Sequence, residues 1–143
     1  MKFAEYKNLN LPQTAQDVLQ LWDAEDTFRQ SISTREGHPA FVFYEGPPSA
    51  NGMPGIHHVM ARTLKDIICR YKTQQGFKVH RKAGWDTHGL PVELGVEKAL
   101  GITKEDIGRK ITVEQYNRHC RADVMKYTDV WSELTRKMGY WVN

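Results

Sequence analysis

Apolar residues recur at helical spacing in several stretches of this chain and alternate at strand spacing in two short ones. From Thr14 to about Ser31, Val18, Leu19, Trp22 and Phe28 approximate one face, which predicts an amphipathic helix with Thr14 as its cap. Arg35-Glu-Gly-His-Pro39 breaks that pattern, and Phe41-Val-Phe-Tyr44 predicts a short buried strand. Gly46 to Gly55 holds three prolines and three glycines in ten residues, so it predicts a loop. From Ile56 to about Gln75 a long helix is predicted, with an apolar stripe of Val59, Met60, Leu64, Ile67, Ile68 and Tyr71 and a stop at Gly76. Phe77-Lys-Val-His-Arg81 then alternates as a strand.

Strand, loop, helix and strand in this order predict a βαβ unit with parallel strands and a right-handed crossover. Ligands of such sheets lie beyond the carboxyl ends of the strands. The loop after each predicted strand therefore reaches the same rim. After Pro91 the pattern is helical: Val92 to Leu100, a turn from Thr103 to Ile107 with Asp106 three residues past a Thr cap, and one long helix opened by Thr112. That last helix carries Tyr116, Cys120, Val124, Tyr127, Trp131, Leu134 and Met138 and stops at Gly139. The chain thus divides into a lead-in helix (1–39), the βαβ unit (40–91) and a helical segment (92–143). Two strands buried on their faces leave unpaired edges. Tyr140-Trp-Val-Asn143 adds apolar residues that look for a partner. Both features predict a piece of something larger.

With 143 residues, 40% of them hydrophobic, the chain can bury one ordinary core. It has no apolar run of membrane-spanning length and no secretory apolar segment, and Met1 to Asn8 is polar and mixed in charge. The expectation is a cytoplasmic protein without membrane partners. Cys69 and Cys120 lack a Cys-x-x-Cys spacing and fall in predicted helices, which predicts buried thiols and no zinc site. A net charge of +3 permits contact with a polyanion without arguing for one.

The first chemical segment is Glu45-Gly-Pro-Pro-Ser-Ala-Asn-Gly-Met-Pro-Gly-Ile-His-His58. A loop running into a helix N-terminus offers N–H groups without intrahelical partners and the positive end of the dipole, which suits an anion. Gly46, Gly52 and Gly55 permit close backbone approach, the prolines stiffen the loop, and His57 and His58 sit where an imidazole can donate to phosphate. The residues alone also admit a Pro/Gly turn with two solvated histidines. One metal ion on both is poorly served, because successive helical residues point about 100° apart.

The second segment is Gly84-Trp-Asp-Thr-His-Gly-Leu-Pro-Val-Glu93. It sets the Asp86 carboxylate at the rim, where it needs a cation or several donors, and the ammonium of an amino acid is one such cation. Trp85 offers an apolar or cation–π wall. The other reading makes Asp86 a cap for the following helix, with Trp85 and His88 as packing.

Together these segments resemble the N-terminal catalytic part of the class I isoleucyl-tRNA synthetases. The likeness extends from Leu9-Asn-Leu-Pro12 and Val18-Leu-Gln-Leu-Trp22 through Val96-Glu-Lys-Ala-Leu-Gly101, essentially the whole chain. It implies an α/β fold, the first half of a Rossmann-like nucleotide-binding domain with a short parallel sheet, flanking helices and a helical C-terminal part. It implies a ligase that makes isoleucyl-adenylate and pyrophosphate from isoleucine and ATP and then charges tRNA(Ile). ATP is a substrate with Mg2+ expected beside it, and any zinc belongs to other parts of the parent. Gly46 and Pro47 would contact isoleucine, Pro47 against its side chain, and Asp86 would hold the ammonium. Asn51, Gly52 and the Gly55–His58 turn would seat ATP, with His58 and His57 as catalytic residues. Glu45, Trp85 and His88 would form the wall or support it from behind.

Two departures stand out. The family's His-x-Gly-His signature reads Gly55-Ile-His-His58 here, an order that a subgroup of the family carries; His57 must supply the imidazole missing at position 55 and either swing from the adenine or stack on it. The Lys-Met-Ser-Lys-Ser loop, the editing domain that rejects valine and the anticodon-binding helices are absent from this sequence. The isolated segment is therefore expected to be inactive and to self-associate through its sheet edges. A free-standing nucleotide- or amino-acid-binding module without ligase activity, or a bare βαβ scaffold, are the other readings. Arg62, Lys65, Arg70 and Lys72 read as a solvated helix face; Lys78, Arg81 and Lys82 are better candidates for phosphate or the tRNA acceptor end.

Overall fold

The computed structural model describes residues 8–143, so the polar start at 1–7 lies outside the described residues. Elements follow in the order α1 (Leu11–Ala24), α2 (Thr27–Ser33), β1 (Ala40–Tyr44), α3 (Ile56–Gln74), β2 (Lys78–Lys82) and α4 (Leu90–Leu100). A 3-10 turn (Lys104–Asp106), α5 (Val113–Asp123) and α6 (Thr128–Lys137) complete them. β1 and β2 pair in parallel, with Phe41 opposite Val79 and Phe43 opposite Arg81. This is the α/β arrangement that the residue pattern predicts. The Thr103 turn also forms as expected, with the Thr103 N–H donating to the Asp106 carboxylate at 2.9 Å.

Three helical predictions need correction. The single helix over 14–31 is two helices. Asn10, not Thr14, caps the first by accepting from the Gln13 N–H at 3.2 Å. Asp26, at φ 50°, stands in the left-handed region between them, a conformation that Asp tolerates better than most residues. The kink lets Trp22 and Phe28 both reach Trp141, with ring centroids 5.0 and 5.6 Å apart. The long helix from Thr112 is likewise α5 and α6, parted where the Tyr127 N–H leaves the helical ladder to donate to Ala50 O at 3.2 Å. Thr112 does cap α5, accepting from the Gln115 N–H.

The third correction concerns α3. Its apolar stripe faces solvent: Met60, Leu64, Ile67, Ile68 and Tyr71 are 55–64% exposed. The buried face instead carries Arg62, Cys69 and Thr73. Cys69 and Thr73 meet β2, whose Arg81 is 1% exposed and donates to Thr73 Oγ1 at 3.1 Å, while Arg62 donates to Thr135 of α6. Arg81 also lies over Phe28 and Trp141, while Arg70 lies over Trp22 and Trp141. This layer is held by guanidinium–aromatic stacking, in which the charge stays close to ring faces while the stems are buried. Arg62 and Arg81 are therefore structural here, not a solvated face or an exposed phosphate contact. Lys78 is also engaged, on Glu36 at 2.6 Å.

β1 is not a buried strand, since Ala40, Val42 and Tyr44 are exposed. The sheet is covered on one face only. The C-terminal tail finds its partner within the chain: Tyr140 is buried. Asn143 donates to Arg81 O at 3.1 Å and accepts from the Ala83 N–H at 2.6 Å, beginning a third row on the outer edge of β2. Farther on, α4 packs against α5 through buried Val92, Val96 and Tyr116. Cys69 is buried and Cys120 only half-buried, both as free thiols.

Candidate functional site

The rim is built by the two loops that follow the strands. Pairing of β1 with β2 continues past the strand ends through the Glu45 N–H and Lys82 O at 2.8 Å. The loops then bond directly: the Asp86 N–H donates to Pro48 O at 2.9 Å and the Ala50 N–H to Asp86 O at 3.1 Å, a parallel bridge between Ser49 and Asp86. A third tie runs from the Asn51 side-chain amide to Pro91 O at 3.1 Å. Residues 46–58 and 84–93 thus form one unit, although a 19-residue helix separates them.

At the helix mouth, the Gly55 N–H donates to Nδ1 of His58 at 2.9 Å. This bond satisfies one of the orphan donors of α3. It also fixes the tautomer, because an Nδ1 that accepts leaves the ring proton on Nε2. Burial above all, then the positive fields of His57, Arg62 and Lys65, push the His58 pKa below its ordinary value. The neutral ring therefore presents an Nε2–H donor at the positive end of the helix dipole. His57 folds back beside it, the two ring centroids 3.8 Å apart. A Cβ added at Gly55 would meet Cε1 of His57 at 2.8 Å and its Nδ1 at 2.9 Å. The His57 ring thus fills the space that a side chain at 55 would need.

Asp86 is half-buried and receives one long bond, from the His88 N–H at 3.5 Å. It does not cap α4, whose N-cap is Gly89 with φ 88°. Its carboxylate forms no ion pair with the described residues. Gly46, Pro47 and His88 are exposed around it, and Trp85 is half-buried. Gly84 and Trp85 line a hollow of ≈ 360 Å³ that reaches Arg62, Thr135 and Asn143.

Glu45 lies behind the rim. It is buried at the end of β1, where one carboxylate oxygen accepts from Lys65 Nζ and the other from the Tyr140 hydroxyl. Burial first, then this carboxylate, push the Tyr140 pKa upward. Glu45 therefore bolts β1, α3 and the C-terminal tail together directly beneath Gly46. The sequence reading also missed Trp131. Its indole N–H donates to Gly52 O at 2.7 Å, and its ring packs in a T with that of His58, 4.7 Å between centroids. The available signal was chemical: a tryptophan on a buried stripe must find an acceptor for its N–H.

Among the described residues no three His, Cys, Asp or Glu side chains gather as a metal site. No described helix is long and apolar enough to cross a membrane.

The family model described as "tRNA synthetases class I (I, L, M and V)" matches residues 17–143. An isoleucine–tRNA ligase of Bacteroides fragilis is 68% identical over 142 residues, covering 99% of this chain and 12% of the relative. The Porphyromonas gingivalis ligase is also 68% identical over 142 residues and 12% of its length. That of Cytophaga hutchinsonii is 66% identical over 143 residues and 13% of its length. The chain thus spans about an eighth of these relatives, and both loops of the rim lie inside the matched region. With the family model covering the sheet, the helix mouth and the Asp86 loop together, the chain belongs to the class I tRNA synthetases.

Proposed function

We propose that this chain is the part of an isoleucine–tRNA ligase that receives isoleucine and ATP. The observation that carries the reading is the Ser49–Asp86 bridge, which joins the carboxylate loop to the helix-mouth loop. In the proposed reaction, the isoleucine carboxylate attacks the α-phosphorus of ATP, pyrophosphate leaves with the electron pair of the broken P–O bond, and isoleucyl-adenylate forms. The tRNA(Ile) 3′ end then takes the isoleucyl group and releases AMP.

Asp86 supplies a carboxylate that pairs with no cation among the described residues and holds the α-ammonium, with Gly46 and Pro47 along the side chain and Trp85 and His88 as wall. Asn51, Gly52, Gly55 and His57 seat ATP. Nε2–H of His58 donates to an α-phosphate oxygen and stabilises charge that grows during displacement. One such donor is worth about 3–4 kcal/mol in the transition state. Mg2+ accompanies the triphosphate, and exposed Lys82, at the end of β2, is the basic residue offered to the acceptor end. The cytoplasm is the expected compartment. Glu45 acts from beneath as an anchor.

The test is ATP–pyrophosphate exchange. In a full-length ligase carrying this segment, Asp86→Asn raises the KM for isoleucine about a hundredfold and leaves that for ATP nearly unchanged. An unchanged isoleucine KM sinks the assignment. The 143-residue chain alone gives no isoleucine-dependent exchange, because it lacks the lysine-rich loop that steadies pyrophosphate in the family.

A further inference from the structure

We propose that Trp131 is a positioning residue for ATP: from α6 it sets the Gly52 carbonyl and the His58 ring relative to each other, and with them the shape of the mouth that receives the triphosphate. The inference rests on the reading of that loop as the ATP seat.

Trp131 is 1% exposed, and its contacts leave its ring one orientation. The indole N–H holds Gly52 O at 2.7 Å, on the loop. The ring packs in a T with that of His58, at 76°, at the first turn of α3. Arg62 lies over the indole, its Cζ 4.7 Å from the ring centroid. Arg62 is itself held by Thr135, which accepts from Nη1 at 2.8 Å while donating its own hydroxyl proton to Trp131 O at 2.7 Å. One turn earlier the Tyr127 N–H holds Ala50 O, so the start of α6 is tied to the same loop. An indole is rigid, and here it spans the two ends of a glycine- and proline-rich turn. Between those ends, Met53 and Pro54 form no hydrogen bond among the described residues. The spacing between the backbone that faces the phosphates and the imidazole that donates to them is thus set from α6. Asp86 meets this set of contacts only at Ala50 and only through its backbone; its carboxylate is bonded by neither Trp131 nor the partners of Trp131.

The two substrates are therefore affected differently. In the full-length ligase, Trp131→Phe keeps most of the ring and deletes the N–H. The expected result is a KM for ATP raised about tenfold, the loss of one hydrogen bond, with the KM for isoleucine within about twofold of the parent. A purely structural role lowers the amount of active enzyme and hence the apparent kcat, and moves neither KM. Both KM values unchanged, or both raised together, overturn the proposal. Asp86→Asn is measured in parallel: its isoleucine KM decides the reading of the site, while the ATP KM of Trp131→Phe decides this inference alone. Should Trp131→Phe fail to fold, hydrogen exchange on the unmodified ligase decides instead. ATP, and not isoleucine, slows exchange across 128–135 as well as 46–58; protection confined to 46–58 overturns the proposal.

Discussion

Gly55 and His57 occupy each other's space, and that exchange is the clearest event at the scale of single residues. The Gly55 backbone is extended, at φ −121°, so any residue fits its torsions. The constraint is the imidazole above it. Gly55→Ala should displace His57, raise the ATP KM of the full-length ligase several-fold and change stability by less than about 1 kcal/mol. Steady-state kinetics with a melting curve separates the two effects. His58 gives a pH signature. Its pKa is lower folded than unfolded, so the neutral ring contributes stability that is fully present above the ordinary value of 6.5. That contribution is lost as the pH falls through the lower folded value. Urea midpoints of the parent and of His58→Gln should therefore lie farther apart at pH 8 than at pH 5.

At the scale of elements, the joints between α1, β1, α3 and the tail are polar or aromatic more than aliphatic. The Glu45 carboxylate joins three elements at once. Tyr140→Phe leaves one of its buried oxygens without a donor and should cost about 1–3 kcal/mol, read from chemical denaturation. Trp141 links α1 and α2 to the guanidinium groups of Arg70 and Arg81. Trp141→Ala should cost about 3 kcal/mol or more, because it also strips a stacked face from buried Arg81. Such joints explain which elements the residue pattern could resolve. Hydrophobic period located α3, α4 and both strands within a few residues. It could not locate the break at Asp26, nor the one before Tyr127, since each is made by a distant contact on residues that read as helical.

At the scale of the whole molecule, one face of the sheet and one face of α3 carry large apolar side chains into solvent. Val42, Tyr44, Leu64 and Ile67 are all more than half exposed. Such a patch favours association in an isolated segment. Sedimentation of the 143-residue chain should show concentration-dependent self-association, and the pair Leu64→Lys and Ile67→Lys should reduce it; a monomer at all concentrations contradicts this. The candidate site divides in the same way. That its two segments meet was legible in the sequence, because Asp86, His57, His58 and the glycines lie in the two loops that the βαβ order brings to one rim. Whether Glu45 lines the wall or supports it, and what Trp131 on its apolar stripe bonds, were not legible, because burial and bonding partners are not written in periodicity.

By itself the sequence determined the βαβ order, the parallel pairing that places both loops at one rim, and the loop that opens the helix mouth. These follow from local chemistry: glycine and proline exclude regular structure, and a short crossover brings consecutive strands side by side. Only the tertiary structure decided which face of α3 is buried, since a helix with one apolar and one basic stripe packs on whichever its neighbours complement. Here the neighbours are aromatic rings and an arginine, and the basic stripe went inward. The structure alone also decided the tautomer of His58, the fold-back of His57 over Gly55 and the seat of Trp131 against the loop. The Trp131 contact joins residues 79 apart, which meet only when the chain has packed, and the two histidine contacts, though local, turn on side-chain orientations that residue pattern does not specify.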